Sequence, residues 1–117
     1  MAFPESDWRL LRVVHRAALD RYCAGVLAEC AETIQEVEFA SHERYLRLFR
    51  LLKDHDESVA NAFNDLRRST ALQRLASMIA LGVVTDEELG GFSVATRDSA
   101  VALADILRPR ERARKSR

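Results

Sequence analysis

Residues 6–39, SDWRLLRVVHRAALDRYCAGVLAECAETIQEVEF, carry apolar side chains at alternating steps of three and four residues. This spacing places them on one face of an α-helix. Gly25 is the only helix-weakening residue in the segment, so one long helix is predicted from a cap at Ser6 or Asp7 to about Phe39. Its apolar face comprises Trp8, Leu11, Val14 or His15, Ala18, Leu19, Tyr22, Cys23, Val26, Cys30, Ile34 and Val37.

The middle of the chain has the same helical character. Ser41 fits the N-cap of a second helix, and the polar residues 53–56 resemble a connection. A third helix is predicted from about 57 to 81. Gly82 follows it at the position where a left-handed backbone is easiest for glycine.

The end of the chain predicts two shorter helices. Thr85 and Glu88 have the spacing of a capping box, and Ser93 precedes a last helix at about 94–107. Residues 82–89, GVVTDEEL, resemble the Gly-x-x-Thr-x-Glu-Glu hinge of the short C-terminal helical hairpins of many bacterial proteins. That resemblance covers eight residues and follows from capping chemistry alone, so it identifies no family.

These elements predict an all-α fold: an antiparallel helical bundle or hairpin of two to three long helices, a short C-terminal helical hairpin and a basic tail. The length of 117 residues fits one helical domain at 1–107. Residues 108–117 then form a flexible tail that holds six cations and one glutamate. No apolar run approaches the ~20 residues needed to cross a bilayer, so no membrane association is expected.

The sequence lacks the motifs of several enzyme classes. There is no glycine-rich phosphate loop, and the His42-Glu43 pair lacks the second histidine of a zinc protease helix because Leu46 holds that position. His15, Tyr22 and Glu29 share a helix face and fit either an acid–base cleft or half-buried packing. We therefore predict no enzyme, no cofactor and no catalytic or metal-ligating residue.

Asp54-His55-Asp56-Glu57 is the densest group of potential metal ligands. A hard cation would need further oxygen ligands from elsewhere in the fold. A metal-dependent enzyme at this segment is therefore a minor alternative to a role as helix caps.

The two cysteines, Cys23 and Cys30, are too far apart for a disulfide within one helix, which favours a reducing cytoplasm. Because the first helix is long for a chain of this size, either it kinks near Gly25 or 38–41 or a second copy buries its excess length. We favour a homodimer. The predicted self-association surface consists of Trp8, Leu19, Tyr22, Val26 and Cys30.

The alternative function is that of a nucleic-acid-binding accessory protein. The tail cations would neutralise phosphates, and Arg44, Arg47 and Arg50 could add a basic patch or pair with nearby carboxylates. A protein partner of unknown identity is also consistent with the charges. The candidate tail contacts are Arg108, Arg110, Arg112, Arg114, Lys115 and Arg117.

Overall fold

The computed structural model describes residues 3–115, with side chains for residues 3–108. It confirms the all-α fold, and no strand occurs among the described residues. The molecule measures 53 × 24 × 23 Å. Its helices are α1 (Glu5–Ile34), α2 (Ser41–Phe63), a 3-10 turn (Arg68–Thr70), α3 (Ala71–Ala80), α4 (Asp86–Gly90) and α5 (Val94–Lys115).

Helices α1 and α2 form an antiparallel hairpin, and α3, α4 and α5 form a head that packs against it. One hydrophobic core joins the two parts. Leu11 and Val14 of α1 and Leu75 and Met78 of α3 are its largest fully buried side chains. Small residues of α5 complete the core at Ala100 and Ala104, which have no exposed surface.

Helix α1 differs from its prediction at both ends. It begins after Pro4, so neither Ser6 nor Asp7 is its N-cap. The helix ends at Ile34, five residues before Phe39, and Arg44 of α2 donates a hydrogen bond to the Ile34 carbonyl. The break therefore falls near the predicted 38–41 kink, and the helix continues through Gly25.

The connection predicted at 53–56 and the third helix predicted to begin at 57 are wrong. Both segments belong to α2, because His55 and Ser58 face the core while the acidic residues between them face solvent. The chain breaks at 64–67 instead, where Asp65 has a positive φ of 58°. The Thr70 hydroxyl donates to the Asp65 carbonyl and fixes this loop.

The C-terminal elements follow their predictions more closely. Gly82, at φ 76°, ends α3, and the amide of Val83 bonds back to the Met78 carbonyl. Thr85 and Glu88 form the reciprocal hydrogen bonds of a capping box. Helix α5 begins at Val94 as predicted and continues past 107 to Lys115.

Candidate association surface

A buried carboxylate fixes the start of α5 against the start of α1. Asp7 is 2% exposed, and its two oxygens accept hydrogen bonds from the Ser93 amide at 2.9 Å and from the hydroxyls of Ser93 and Thr96 at 2.6 Å each. Burial raises the pKa of Asp7, but the hydrogen bonds from Ser93 and Thr96 outweigh it and lower the pKa below its usual value. This network positions α5 on the hairpin.

A second polar contact holds the head at the middle of α1. Arg21 donates to the Val83 carbonyl and pairs with Glu88 at 3.1 Å. The hydrogen bond from Arg21 is the main reason that the pKa of Glu88 is lowered. The two contacts, at Asp7 and Arg21, set the side of the hairpin on which the head lies.

The hairpin is tied together by a tyrosine, a histidine and a glutamate. The Tyr22 hydroxyl lies 2.6 Å from His55 Nδ1, and His55 Nε2 lies 3.3 Å from the Glu29 carboxylate. His15 donates through Nε2 to the Phe63 carbonyl at 2.9 Å. These contacts match the packing interpretation of the polar residues on α1 rather than an open acid–base cleft.

The turn half of the hairpin exposes several large apolar side chains. At 100° per residue, Leu27 and Ile34 of α1 lie on the side of the hairpin away from the head. Tyr45, Phe49 and Leu52 of α2, at steps of four and three residues, lie on the same side. Each of the five exposes 45% or more of its surface. We call these five residues the apolar side.

None of the five residues predicted for self-association belongs to the apolar side. Tyr22, Val26 and Cys30 are buried in the core of their own chain, since α2 covers them. Trp8 and Leu19 are half-buried against the same core. The sequence correctly showed an apolar face on α1, but most of it packs within one chain. The apolar side lies next to this face.

The Asp54–Glu57 segment does not converge on a cation. His55 faces α1, whereas Asp54, Asp56 and Glu57 are exposed on other faces of α2. Within residues 3–108, no group of three or more potential ligands lies close enough to hold a metal ion.

Two of the three arginines of α2, Arg44 and Arg47, have local partners near its start. Arg44 bonds to the Ile34 carbonyl and the Ser41 hydroxyl, and Arg47 pairs with Glu43 while its guanidinium stacks over Phe39 at 3.7 Å. Arg47 therefore matches the alternative in which these cations pair with nearby carboxylates. Arg44 bonds to neutral oxygens instead, and the exposed Arg50 has no ion pair or side-chain hydrogen bond within residues 3–108.

The tail contacts stay a prediction. Arg108 pairs with Asp105, and the side chains of Arg110, Arg112, Arg114, Lys115 and Arg117 lie outside the described residues. The structure therefore does not test nucleic-acid binding or the flexibility of 108–117. Among the described helices, none is both long and apolar enough to cross a membrane.

This combination of a long helical hairpin, a three-helix head and an exposed apolar side defines a small all-helical protein. The chain is similar in fold to the Fluorescence Recovery Protein from Synechocystis sp PCC 6803, with a TM-score of 0.73 and 19% identity. The match covers 88% of this chain and 98% of that one. An arginine-to-lysine mutant of the same protein matches equally well. No family model and no curated protein matches the sequence.

Proposed function

We propose that this protein is a small non-enzymatic helical protein that acts by self-association, and that it forms a homodimer through the apolar side of its hairpin. The observation that carries the proposal is the grouping of Leu27, Ile34, Tyr45, Phe49 and Leu52 on one side. Monomeric proteins rarely expose large apolar side chains next to one another unless the surface binds something.

The apolar side is not needed to complete the core. The head and the first half of the hairpin already share a closed core around Leu11, Leu75 and Met78. In the turn half of the hairpin, α1 and α2 pack against each other and the head does not cover the apolar side. The apolar side therefore stays in water until another molecule covers it. A second copy offers the same apolar side, and a two-fold axis would bury both copies of the surface at once.

Burial of the apolar side is large enough to offset the lower range of the cost of association. Burying the exposed part of each Leu, Ile, Tyr or Phe contributes about 1 kcal/mol, and ten such side chains contribute about 10 kcal/mol. The loss of translational and rotational freedom on association costs about 4–15 kcal/mol. At the lower end of that cost the surplus is about 6 kcal/mol, which corresponds to a Kd of roughly 10–100 μM, within the range that ultracentrifugation measures.

Two further observations support the non-catalytic and intracellular parts of the proposal. The structural neighbour is named for the recovery of fluorescence rather than for a catalytic reaction, and it is not from an enzyme family. Both cysteines are free thiols, which is typical of a reducing compartment. We therefore propose a cytoplasmic location.

Sedimentation equilibrium of the wild type and two double variants tests the proposal. Leu27→Ser with Phe49→Ser changes the apolar side, and the control, Val94→Ser with Ile106→Ser, changes two equally exposed apolar residues of α5. We expect the first variant to raise the dimer Kd by about a thousandfold, because four apolar side chains at about 1 kcal/mol each leave the interface. The control should keep the wild-type Kd. Equal effects of the two variants, with helicity unchanged by circular dichroism, would contradict the assignment.

A further inference from the structure

A cleft lies in the head, beside the point where the described chain begins. Its volume is about 860 Å³, within the range of about 300–1,000 Å³ that is typical of small-molecule sites. Three parts of the chain line it: residues 3 and 4 before α1, the 3-10 turn with the start of α3, and the first two turns of α5. The cleft therefore forms only when the head is packed on the hairpin. We call it the head cleft.

Polar contacts fix the walls of the head cleft. Arg68 donates from Nε to the Phe3 carbonyl at 3.0 Å and pairs with Glu5 at 3.1 Å, which joins the 3-10 turn to the start of the chain. Thr96 of α5 is held by the buried carboxylate of α1 described above. The walls are thus fixed by contacts at their edges rather than by side chains that fill the space between them.

The lining of the head cleft combines apolar surface with neutral polar groups. Phe3 is buried and Leu72 is half-buried, so they provide apolar surface inside the cleft. Ser69, Gln73 and Ser99 are exposed, and their side chains make no hydrogen bond within residues 3–108. Their hydroxyl and amide groups are therefore free to bind a ligand. An apolar lining with a few polar groups is the usual composition of a small-molecule site.

The charges at the head cleft disfavour an ionic ligand. Among the described residues, Arg68 is the only charged one that lines the cleft, and Glu5 already neutralises it. An anion would have to displace Glu5 from the guanidinium, and a cation would face that guanidinium directly. Either ion would lose hydration without gaining an unpaired charge of opposite sign.

We propose that the head cleft binds an uncharged small molecule that has a compact apolar body, such as an aromatic ring system, and a hydroxyl or carbonyl group. The apolar body packs on Phe3 and Leu72, and the polar group forms a hydrogen bond with Ser69, Gln73 or Ser99. This site is separate from the apolar side of the hairpin, so it does not depend on the proposed self-association.

Titration of the full-length protein with β-naphthol, followed by two-dimensional NMR, tests the site. We expect a Kd in the millimolar range or tighter for a probe of this size, with the largest shifts at the amides of residues that line the cleft. Ser99→Phe and Gln73→Phe place a ring in the cleft from α5 and from α3, so each should raise the Kd about tenfold or more. Ala102→Phe adds the same ring at an exposed position of α5 outside the cleft, and should keep the Kd within about twofold of the wild type.

Charged analogues of the probe test the class of ligand. β-Naphthoate carries a carboxylate on the same ring system, and β-naphthylmethylamine carries an ammonium group. We expect both to bind at least about threefold more weakly than β-naphthol, because each loses hydration beside a charge that is already paired. Tighter binding of either analogue would overturn the assignment to an uncharged ligand.

The remaining outcomes decide whether the head cleft is a site at all. All three substitutions are at exposed positions, so circular dichroism should show unchanged helicity. The proposal would be overturned by the absence of shifts, by shifts confined to the apolar side around Leu27 and Phe49, or by equal Kd values for wild type, Ser99→Phe and Gln73→Phe. None of these results changes the sedimentation behaviour of the wild type, so the proposed function is tested separately.

Discussion

The buried carboxylate of Asp7 gives the sharpest test of how the head is held on the hairpin. Replacing it by alanine removes the acceptor of three hydrogen bonds that join residues 86 and 89 positions apart. In the Asp7→Ala protein, the Thr96 hydroxyl remains buried without that acceptor, while Ser93 is exposed and can bond to water. The loss of stability should therefore be large but smaller than the sum of three separately lost hydrogen bonds.

The size of the effect follows from these contacts. A hydrogen bond to a charged acceptor contributes about 1.5–3 kcal/mol, and a buried donor left without a partner costs about 1–3 kcal/mol. Since the three bonds share one carboxylate and one donor reaches water, we expect Asp7→Ala to lower the free energy of unfolding by about 3 kcal/mol. That is a large share of the roughly 5–15 kcal/mol of a typical domain, and it corresponds to a fall in Tm of about 10 °C.

Urea denaturation at pH 7 measures this loss, with Asp20→Ala as the control. Asp20 is an exposed aspartate of the same helix and should change stability by less than ~0.5 kcal/mol. A double-mutant cycle with Thr96→Val adds specificity, because the valine should cost less in the Asp7→Ala background than in the wild type. A loss below about 1 kcal/mol for Asp7→Ala, or additive effects in the cycle, would refute the role of this network.

Two further predictions concern pH and the end of α3. The pKa of Asp7 is lowered in the folded state. The carboxylate therefore makes its full contribution to the free energy of unfolding above its unfolded-state pKa of about 3.9, and this contribution is lost as the pH falls through the folded-state pKa. The stability difference between wild type and Asp7→Ala should therefore be constant from about pH 5 to 8 and shrink below about pH 4; an equal difference at pH 3 and pH 7 in urea titrations would contradict this. Gly82→Ala should cost about 1–2 kcal/mol because φ at this position is 76°. Gly90→Ala is the control, since a Cβ there meets open space and the residue is helical, and equal effects of the two on Tm would argue against the left-handed cap.

Local chemistry made part of the fold predictable from the sequence. The capping box of Thr85 and Glu88 and the glycine at 82 depend on residues within one turn of each other, so their spacing determined their structure. The extent of α2 was harder to predict. Residues 53–56 are polar, but most of them occupy the solvent face of a continuing helix. The better signal for a break was the Asn64-Asp65 pair, since both residues tolerate a left-handed backbone.

The positions that depend on distant partners could not be predicted. Asp7 was interpreted as a cap for its own helix, yet it binds Ser93 and Thr96 near the other end of the chain. The apolar face of α1 was visible, but periodicity does not show whether α2 or a second copy covers it. In the structure α2 covers Tyr22, Val26 and Cys30, and the uncovered apolar side consists of neighbouring residues such as Leu27 and Phe49.

The most direct test of the account is sedimentation equilibrium of the untreated full-length protein over a wide concentration range, with absorbance recorded at 260 and 280 nm. The account predicts a reversible shift from the chain mass of 13.3 kDa to twice that mass, with a protein-only spectrum. A single species at the chain mass up to the highest soluble concentration would contradict self-association through the apolar side.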